Sequence, residues 1–106
     1  MIDWTEVASL IIGDSLLYMD FKGEVLPLEP ETVKELYVPL SETGTGEILP
    51  GKIIAVILED NGKQQTCFAS PQEGTKILLE ELTRLMGTEP ERGIGCFIYT
   101  RRCRCR

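Results

Sequence analysis

The chain has 106 residues, of which 42% are hydrophobic and 26% charged, and this ordinary composition excludes a collagen, a coiled coil and a disordered chain. Its length predicts a single domain over residues 1–106. The formal charge of −6 is unevenly spread along the chain. Four arginines lie in the last six residues, so residues 1–100, with 7 basic and 17 acidic side chains, carry −10.

Several functional classes are excluded or disfavoured by what the sequence lacks. There is no histidine, which removes Ser–His and Cys–His nucleophile pairs and the commonest metal ligand. The acidic start lacks the basic region of a signal peptide, and no apolar run is long enough to span a bilayer. We therefore expect a cytoplasmic protein without membrane contact, with reduced cysteines, and an enzyme is the least supported class.

The chain is expected to open with a short helix. Asp3 and Glu6 have the spacing of a capping box, and Trp4, Val7 and Ile11 recur at helical intervals before Gly13. In the alternative interpretation this helix continues through Tyr18.

The next elements are a hairpin, a short helix and a loop. Residues 16–21 and 24–28 flank Lys22-Gly23, and Pro27 favours a sheet edge for the second arm. Proline and acidic residues early in 29–36 favour one or two helical turns. Three glycines and a proline in residues 41–51 predict a flexible loop.

The second half begins with the clearest strand signal. Residues 52–59 form a continuous apolar run typical of a central strand covered on both faces. Asn61-Gly62 predicts a type I′ hairpin in which Asp60 pairs with Lys63, Leu58 with Gln65, and Val56 with Cys67.

A long helix is predicted at residues 71–86, followed by a loop and a last strand at 96–100. Ser70 and Glu73 form a capping box with Pro71 between them, and Gly87 ends the helix. Leu78, Leu82 and Leu85 share one helical face.

The predicted fold is therefore α+β, with two or three helices and a mainly antiparallel sheet of four to six strands. The helix at 71–86 packs on one sheet face. The order α-β-β-α-β-β-α-β is similar to longin, roadblock and profilin-like adaptor folds and to secretion chaperones, with no shared motif. The predicted core comprises Trp4, Val7, Ile11, Leu17, Ile53, Val56, Ile57, Phe68, Leu78, Leu82, Leu85 and Ile98.

The C-terminal segment 101–106 is a basic Arg/Cys strand end or tail. In the simplest interpretation it lies in solvent beside the acidic body, with weak ion pairs. It is also the candidate interaction site, with aromatic residues of the last strand nearby. These candidate interaction residues are Phe97, Tyr99, Arg101, Arg102, Arg104 and Arg106.

A thiolate site is the chemical alternative. The four cysteines equal the number of thiolates that can surround Zn²⁺, and neighbouring arginines would activate a thiol for redox chemistry. The candidate ligands are Cys67, Cys96, Cys103 and Cys105. Zinc is the only cofactor that the sequence raises, and a Cys-x-Cys pair differs from the usual Cys-x₂-Cys.

Two further alternatives concern the same segment. Its arginines could neutralise phosphates and its aromatic residues could stack on bases, although the acidic body repels a nucleic acid. Cys103 has the position of the cysteine in a prenylation box, but Arg104, Cys105 and Arg106 do not suit its aliphatic and terminal positions. Gly44-Thr45-Gly46 lacks the rest of any phosphate-binding fingerprint and indicates a loop.

We expect a non-enzymatic protein-interaction or adaptor-type domain that binds either a protein partner or another copy of itself, as in a homodimer. A compact acidic chain without a catalytic constellation favours this class, and its last strand could pair along a sheet edge. The thiolate site is the first alternative and weak nucleic-acid binding through the tail is the second.

Overall fold

The computed structural model describes residues 1–39 and 46–101. Within these ranges the chain forms ten strands and one helix. The elements are β1 (Val7–Gly13), β2 (Leu16–Phe21), β3 (Glu24–Leu28), β4 (Val33–Pro39), β5 (Glu47–Ile48), β6 (Ile54–Asp60), β7 (Lys63–Pro71), β8 (Ile77–Leu78), α1 (Leu79–Met86), β9 (Glu91–Arg92) and β10 (Cys96–Thr100).

Eight strands form one sheet in the order β3-β2-β1-β7-β6-β4-β10-β9, and β5 pairs with β8 in a second, two-stranded sheet. Neighbouring strands are antiparallel except for β1 and β7. The predicted α+β class, with two or three helices and four to six strands, is therefore wrong, because the described chain is mostly β. The predicted element order, and with it the similarity to adaptor folds, is wrong as well.

Both predicted hairpins are confirmed. Asn61 and Gly62 have φ of 52° and 81°, as a type I′ turn requires, and β6 and β7 pair in the predicted register. Lys22 and Gly23 form the corresponding turn between β2 and β3. The strand containing Pro27 lies at the sheet edge, where a missing N–H donor does not interrupt the ladder.

The predicted N-terminal helix is wrong, because a turn and strand β1 occupy that segment. Asp3 Oδ1 accepts hydrogen bonds from the backbone N–H and hydroxyl of Thr5, so it stabilises a turn instead of a helix. Beyond the turn, Ala8 and Leu10 alternate into the core. The spacing of Trp4, Val7 and Ile11 suits a helix, but pairing of β1 with β2 and β7 makes the segment extended and buries Ala8 and Leu10 instead.

The helical signal at 29–36 produces a single turn. The backbone N–H groups of Thr32 and Val33 both donate to Glu29 O, and β4 starts immediately afterwards. Val33, Leu36 and Val38 are almost fully buried, so packing against the sheet prevails over local helix propensity.

The helix predicted at 71–86 is confirmed only in its second half. Pro71 instead ends β7, beside Leu10 of β1, and Gly74 has a left-handed φ of 86°. The helix begins where Glu81 accepts a hydrogen bond from Leu78 N. It ends as predicted at Gly87, whose φ is 69° and whose N–H donates to Thr83 O.

The core lies on one side of the large sheet, here called the core face. Met19, Leu36, Val56 and Tyr99 have 0–1% of their surface exposed there. Leu82 of α1 packs into the same core. The opposite side is called the outer face.

Half of the predicted core residues are on the outer face instead. Leu17, Val56 and Leu82 are buried as predicted, and Trp4, Leu85 and Leu78 are partly buried. The outer-face residues Val7, Ile53 and Phe68 are exposed, whereas Ile11, Ile57 and Ile98 are partly buried.

Candidate interaction surface

An uncharged apolar row crosses five adjacent strands on the outer face. Strand register aligns Val7 with Phe68, Phe68 with Ala55, Ala55 with Tyr37, and Tyr37 with Ile98. Adjacent strands lie about 4.8 Å apart, so these five residues, called the apolar row, span roughly 19 Å.

The apolar row is accessible to solvent. Val7 is 49% exposed and Phe68 is 37% exposed, and the neighbouring Ile53 is 48% exposed. Isolated exposed apolar residues are ordinary, but a contiguous patch of them marks an interaction surface. On the outer face the exposed apolar residues are neighbours and form one such patch.

A shallow groove of about 270 Å³ runs along this patch. Its lining comprises Tyr37, Pro39, Ile53, Ala55, Phe68, Gly95 and Cys96. Most of these groups are apolar, so the groove suits an apolar protrusion on a partner. A charged group entering it would lose water without gaining a counter-charge.

Polar groups lie at the margin of the apolar row. Tyr37 donates its hydroxyl proton to Glu35 Oε1 at 2.8 Å, and this hydrogen bond raises the pKa of Tyr37 above its usual range. The phenol therefore stays neutral and its ring remains part of the apolar row. Glu6 and Lys22 form an exposed ion pair of 3.3 Å near the opposite end.

The structure does not bring the two described cysteines together. Cys67 is on the core face of β7 with no exposed surface, whereas Cys96 lines the outer groove from β10. Two strands separate β7 from β10, which corresponds to about 14 Å. Among residues 1–39 and 46–101, no group of three or more His, Cys, Asp or Glu side chains could hold a metal.

Burial also keeps Cys67 protonated. Desolvation raises the pKa of its thiol to about 11, because a thiolate in an apolar core would lose its hydration. Its Sγ lies 4.0 Å from Met19 Sδ and 3.6 Å from Val56 O. Cys67 therefore acts as a small core residue. The zinc prediction stays a prediction, since Cys103 and Cys105 lie outside the described residues.

The two predicted aromatic interaction residues face the core. Tyr99 is completely buried. Its hydroxyl donates to Leu79 O at 3.0 Å and lies 2.7 Å from Thr83 Oγ1. Phe97 is partly buried against the same core. Neither ring is open for stacking on a base.

Arg101 binds its own domain. One guanidinium nitrogen lies 3.2 Å from Glu59 Oε1, and another donates to the carbonyl oxygens of Pro30 and Glu31. Lys34 also reaches Glu59, at 3.5 Å. Arg101 thus ties the end of β10 to β6 and to the β3–β4 connection.

The remaining candidate residues of the tail lie outside the described residues. These are Arg102, Cys103, Arg104, Cys105 and Arg106, and the first part of the loop predicted at 41–51 lies outside them too. Within the rest of that loop, Glu47 and Ile48 form β5.

The apolar row was not identified as a site from sequence. Val7, Phe68 and Ile98 were assigned to the core because strongly apolar residues usually are buried. The sequence signal that could have identified the row is that β6 and β10 carry apolar residues on both faces, at even-numbered as well as odd-numbered positions. A monomeric sheet with one solvated face would alternate apolar and polar residues.

The chain matches no family model, and neither a curated protein nor a solved structure matches it. In the part of the chain that the structure describes, there is no helix of the length and apolarity that crossing a membrane would require.

Proposed function

We propose that this chain is a non-enzymatic protein-interaction module that self-associates through its outer face. The observation that carries the proposal is the apolar row across five strands. Its partner is a second copy of the same chain, in a two-fold arrangement that brings the two rows together.

Apolar surface left in water is the driving force. Burial contributes roughly 25 cal/mol for each Å² of apolar surface removed from water, and two sheets can pack face to face about 10 Å apart. The exposed side chains of Val7, Ile53 and Phe68 would then occupy the kind of environment that their chemistry favours.

The extent of the face suits a second copy. The five strands have five to nine residues and so are about 17–30 Å long, and together they present on the order of 500 Å². This is somewhat less than the roughly 800 Å² per partner of a standard interface. This area favours a dimer of moderate affinity. A two-fold axis places the same patch on both sides, so no second specialised surface is needed.

Charge also favours an apolar contact between copies. The chain carries −6, so two copies repel at long range. The apolar row contains no charged residue, which means that pairing brings no like charges into direct contact at its centre. Acidic groups such as Glu6 and Glu35 stay at the margin, where water screens them.

Sedimentation equilibrium of the wild type and Phe68→Asp tests the proposal. Phe68 is exposed in the monomer, so the variant should fold, whereas a dimer would bury an unpaired carboxylate. We expect a wild-type dimer at micromolar concentration and at least a tenfold weaker dimer in the variant.

Leu49→Asp is the matched control. Leu49 is 41% exposed and is not among the residues of the apolar row or the groove. The Leu49→Asp variant introduces the same negative charge as Phe68→Asp, so it measures how much added charge repulsion between copies weakens the dimer wherever the charge is placed. A wild type that stays monomeric throughout, or equal weakening by both variants, contradicts self-association through this face.

A further inference from the structure

A second cavity lies between α1 and the tip of the β1–β2 hairpin, and it shares no lining residue with the outer groove. We call it the helix–hairpin cleft. Ile12, Ser15 and Leu16 line it from the hairpin, and Arg84 and Leu85 line it from the helix. Its volume is about 170 Å³.

The cleft exists because the helix is short. Its eight residues extend about 12 Å, whereas the eight strands of the sheet span roughly 34 Å. The helix therefore covers only part of the core face. The uncovered part beside β1 and β2 leaves apolar side chains, including Ile12, Leu17 and Leu85, around a space open at one side.

The hairpin tip at this cleft is a two-residue turn. Asp14 and Ser15 have φ of 44° and 68°, as a type I′ turn requires at both central positions. The pairing of Gly13 with Leu16 holds both residues in the turn. The turn fixes the position of Ser15 in the cleft wall.

Two charged side chains, Glu81 and Arg84, line the cleft, and they differ in the contacts that they make within the chain. Glu81 Oε1 accepts a hydrogen bond from Leu78 N at 3.0 Å, and so this carboxylate caps the helix. Arg84 forms no ion pair with any described residue. A guanidinium group offers a carboxylate a planar, charged hydrogen-bond donor.

We propose that the helix–hairpin cleft binds a small monocarboxylate with an apolar body. The body packs against Ile12 and Leu85, and the carboxylate binds Arg84 with the Ser15 hydroxyl nearby. A cavity of roughly 150 Å³ holds benzene, so the body is about the size of one benzene ring. This inference does not depend on self-association.

Methyl NMR with benzoate as the probe tests this site, with benzyl alcohol as the neutral comparator. Addition of benzoate should shift the methyl resonances of Ile12, Leu17 and Leu85. Because the ion pair is partly exposed, we expect benzoate to bind up to about fivefold more tightly than benzyl alcohol. Arg84→Gln should remove that difference.

Arg92→Gln is the matched control, because Arg92 is an exposed arginine on β9 outside the cleft. It should leave the preference for benzoate intact. A second variant, Ile12→Trp at a position that is 39% exposed, fills the cleft with an indole and should abolish the shift at Leu85 while Arg84 is unchanged. Absence of shifts at Ile12 and Leu85, or equal binding of benzoate by Arg84→Gln and the wild type, overturns the proposal.

Discussion

The hydroxyl oxygens of Tyr99 and Thr83 lie 2.7 Å apart, and this contact joins the helix to strand β10. The contact helps to hold α1 over the core face. On this side the sheet, α1 and the β5–β8 pair together enclose the core. No comparable cover lies over the outer face within the described residues. The contrast between the two faces explains why strongly apolar residues remain exposed on one of them.

Tyr99→Phe should destabilise the fold by about 1 kcal/mol, because it removes the hydroxyl that bonds Thr83 and Leu79 O while keeping the ring buried. Urea unfolding measures the change. The matched control is Tyr37→Phe, whose hydroxyl bonds Glu35 near the surface, and it should cost less than about 0.5 kcal/mol. Equal effects of the two variants would show that the buried contact does not anchor the helix.

Arg101→Gln should reduce stability by roughly 0.5–1 kcal/mol, because it breaks the partly exposed ion pair with Glu59 and weakens the bonds to the β3–β4 connection. High salt should shrink the difference from the wild type, since it screens the ion pair. Chemical denaturation at low and high salt measures both effects. Lys63→Gln, at an exposed end of β7, is the control and should change little.

Alkaline pH should destabilise the protein through Cys67. Burial raises its thiol pKa from 9.0 to about 11, so the stabilisation is fully present below pH 9 and is lost as pH rises through 11. The difference between the thiol pKa in the unfolded and the folded chain corresponds to a loss of about 2–3 kcal/mol in the free energy of unfolding. Unfolding measured between pH 8 and about 11 should therefore show a shallower decline in Cys67→Ala than in the wild type. Parallel declines would exclude this thiol as the cause.

Self-association should become stronger as salt is raised. The two copies carry like charge, and screening reduces their repulsion without weakening apolar burial. Sedimentation at about 0.02 and 0.3 M salt should give a smaller dimer dissociation constant at the higher concentration. The opposite trend would indicate that ion pairs, not the apolar row, hold the copies together.

Sequence patterns predicted the structure where the determining interactions are local. The Asn61-Gly62 turn fixes the β6–β7 register by its own backbone geometry. The N-terminal segment failed because Val7 and Ile11 fit both a helical and an extended period, and only partners distant in sequence decide between them. Those partners are β2 and β7.

The candidate surface could not be predicted from the sequence either, because it too depends on contacts that local sequence patterns do not specify. Apolarity predicts that Phe68 and Ile53 avoid water, but it does not say whether the cover comes from the same chain or from another. Their assignment to the core was wrong for the isolated chain. If the dimer forms, the residues are buried after all, between copies.

Intermolecular NOEs in a mixed sample of ¹³C-labelled and unlabelled chains show whether two copies meet through the outer face. We expect contacts between copies that involve the methyl groups of Val7, Ile53 and Ile98 and the ring of Phe68. A dimeric sample whose intermolecular NOEs all arise elsewhere, or a sample at high concentration that shows none, would contradict this expectation.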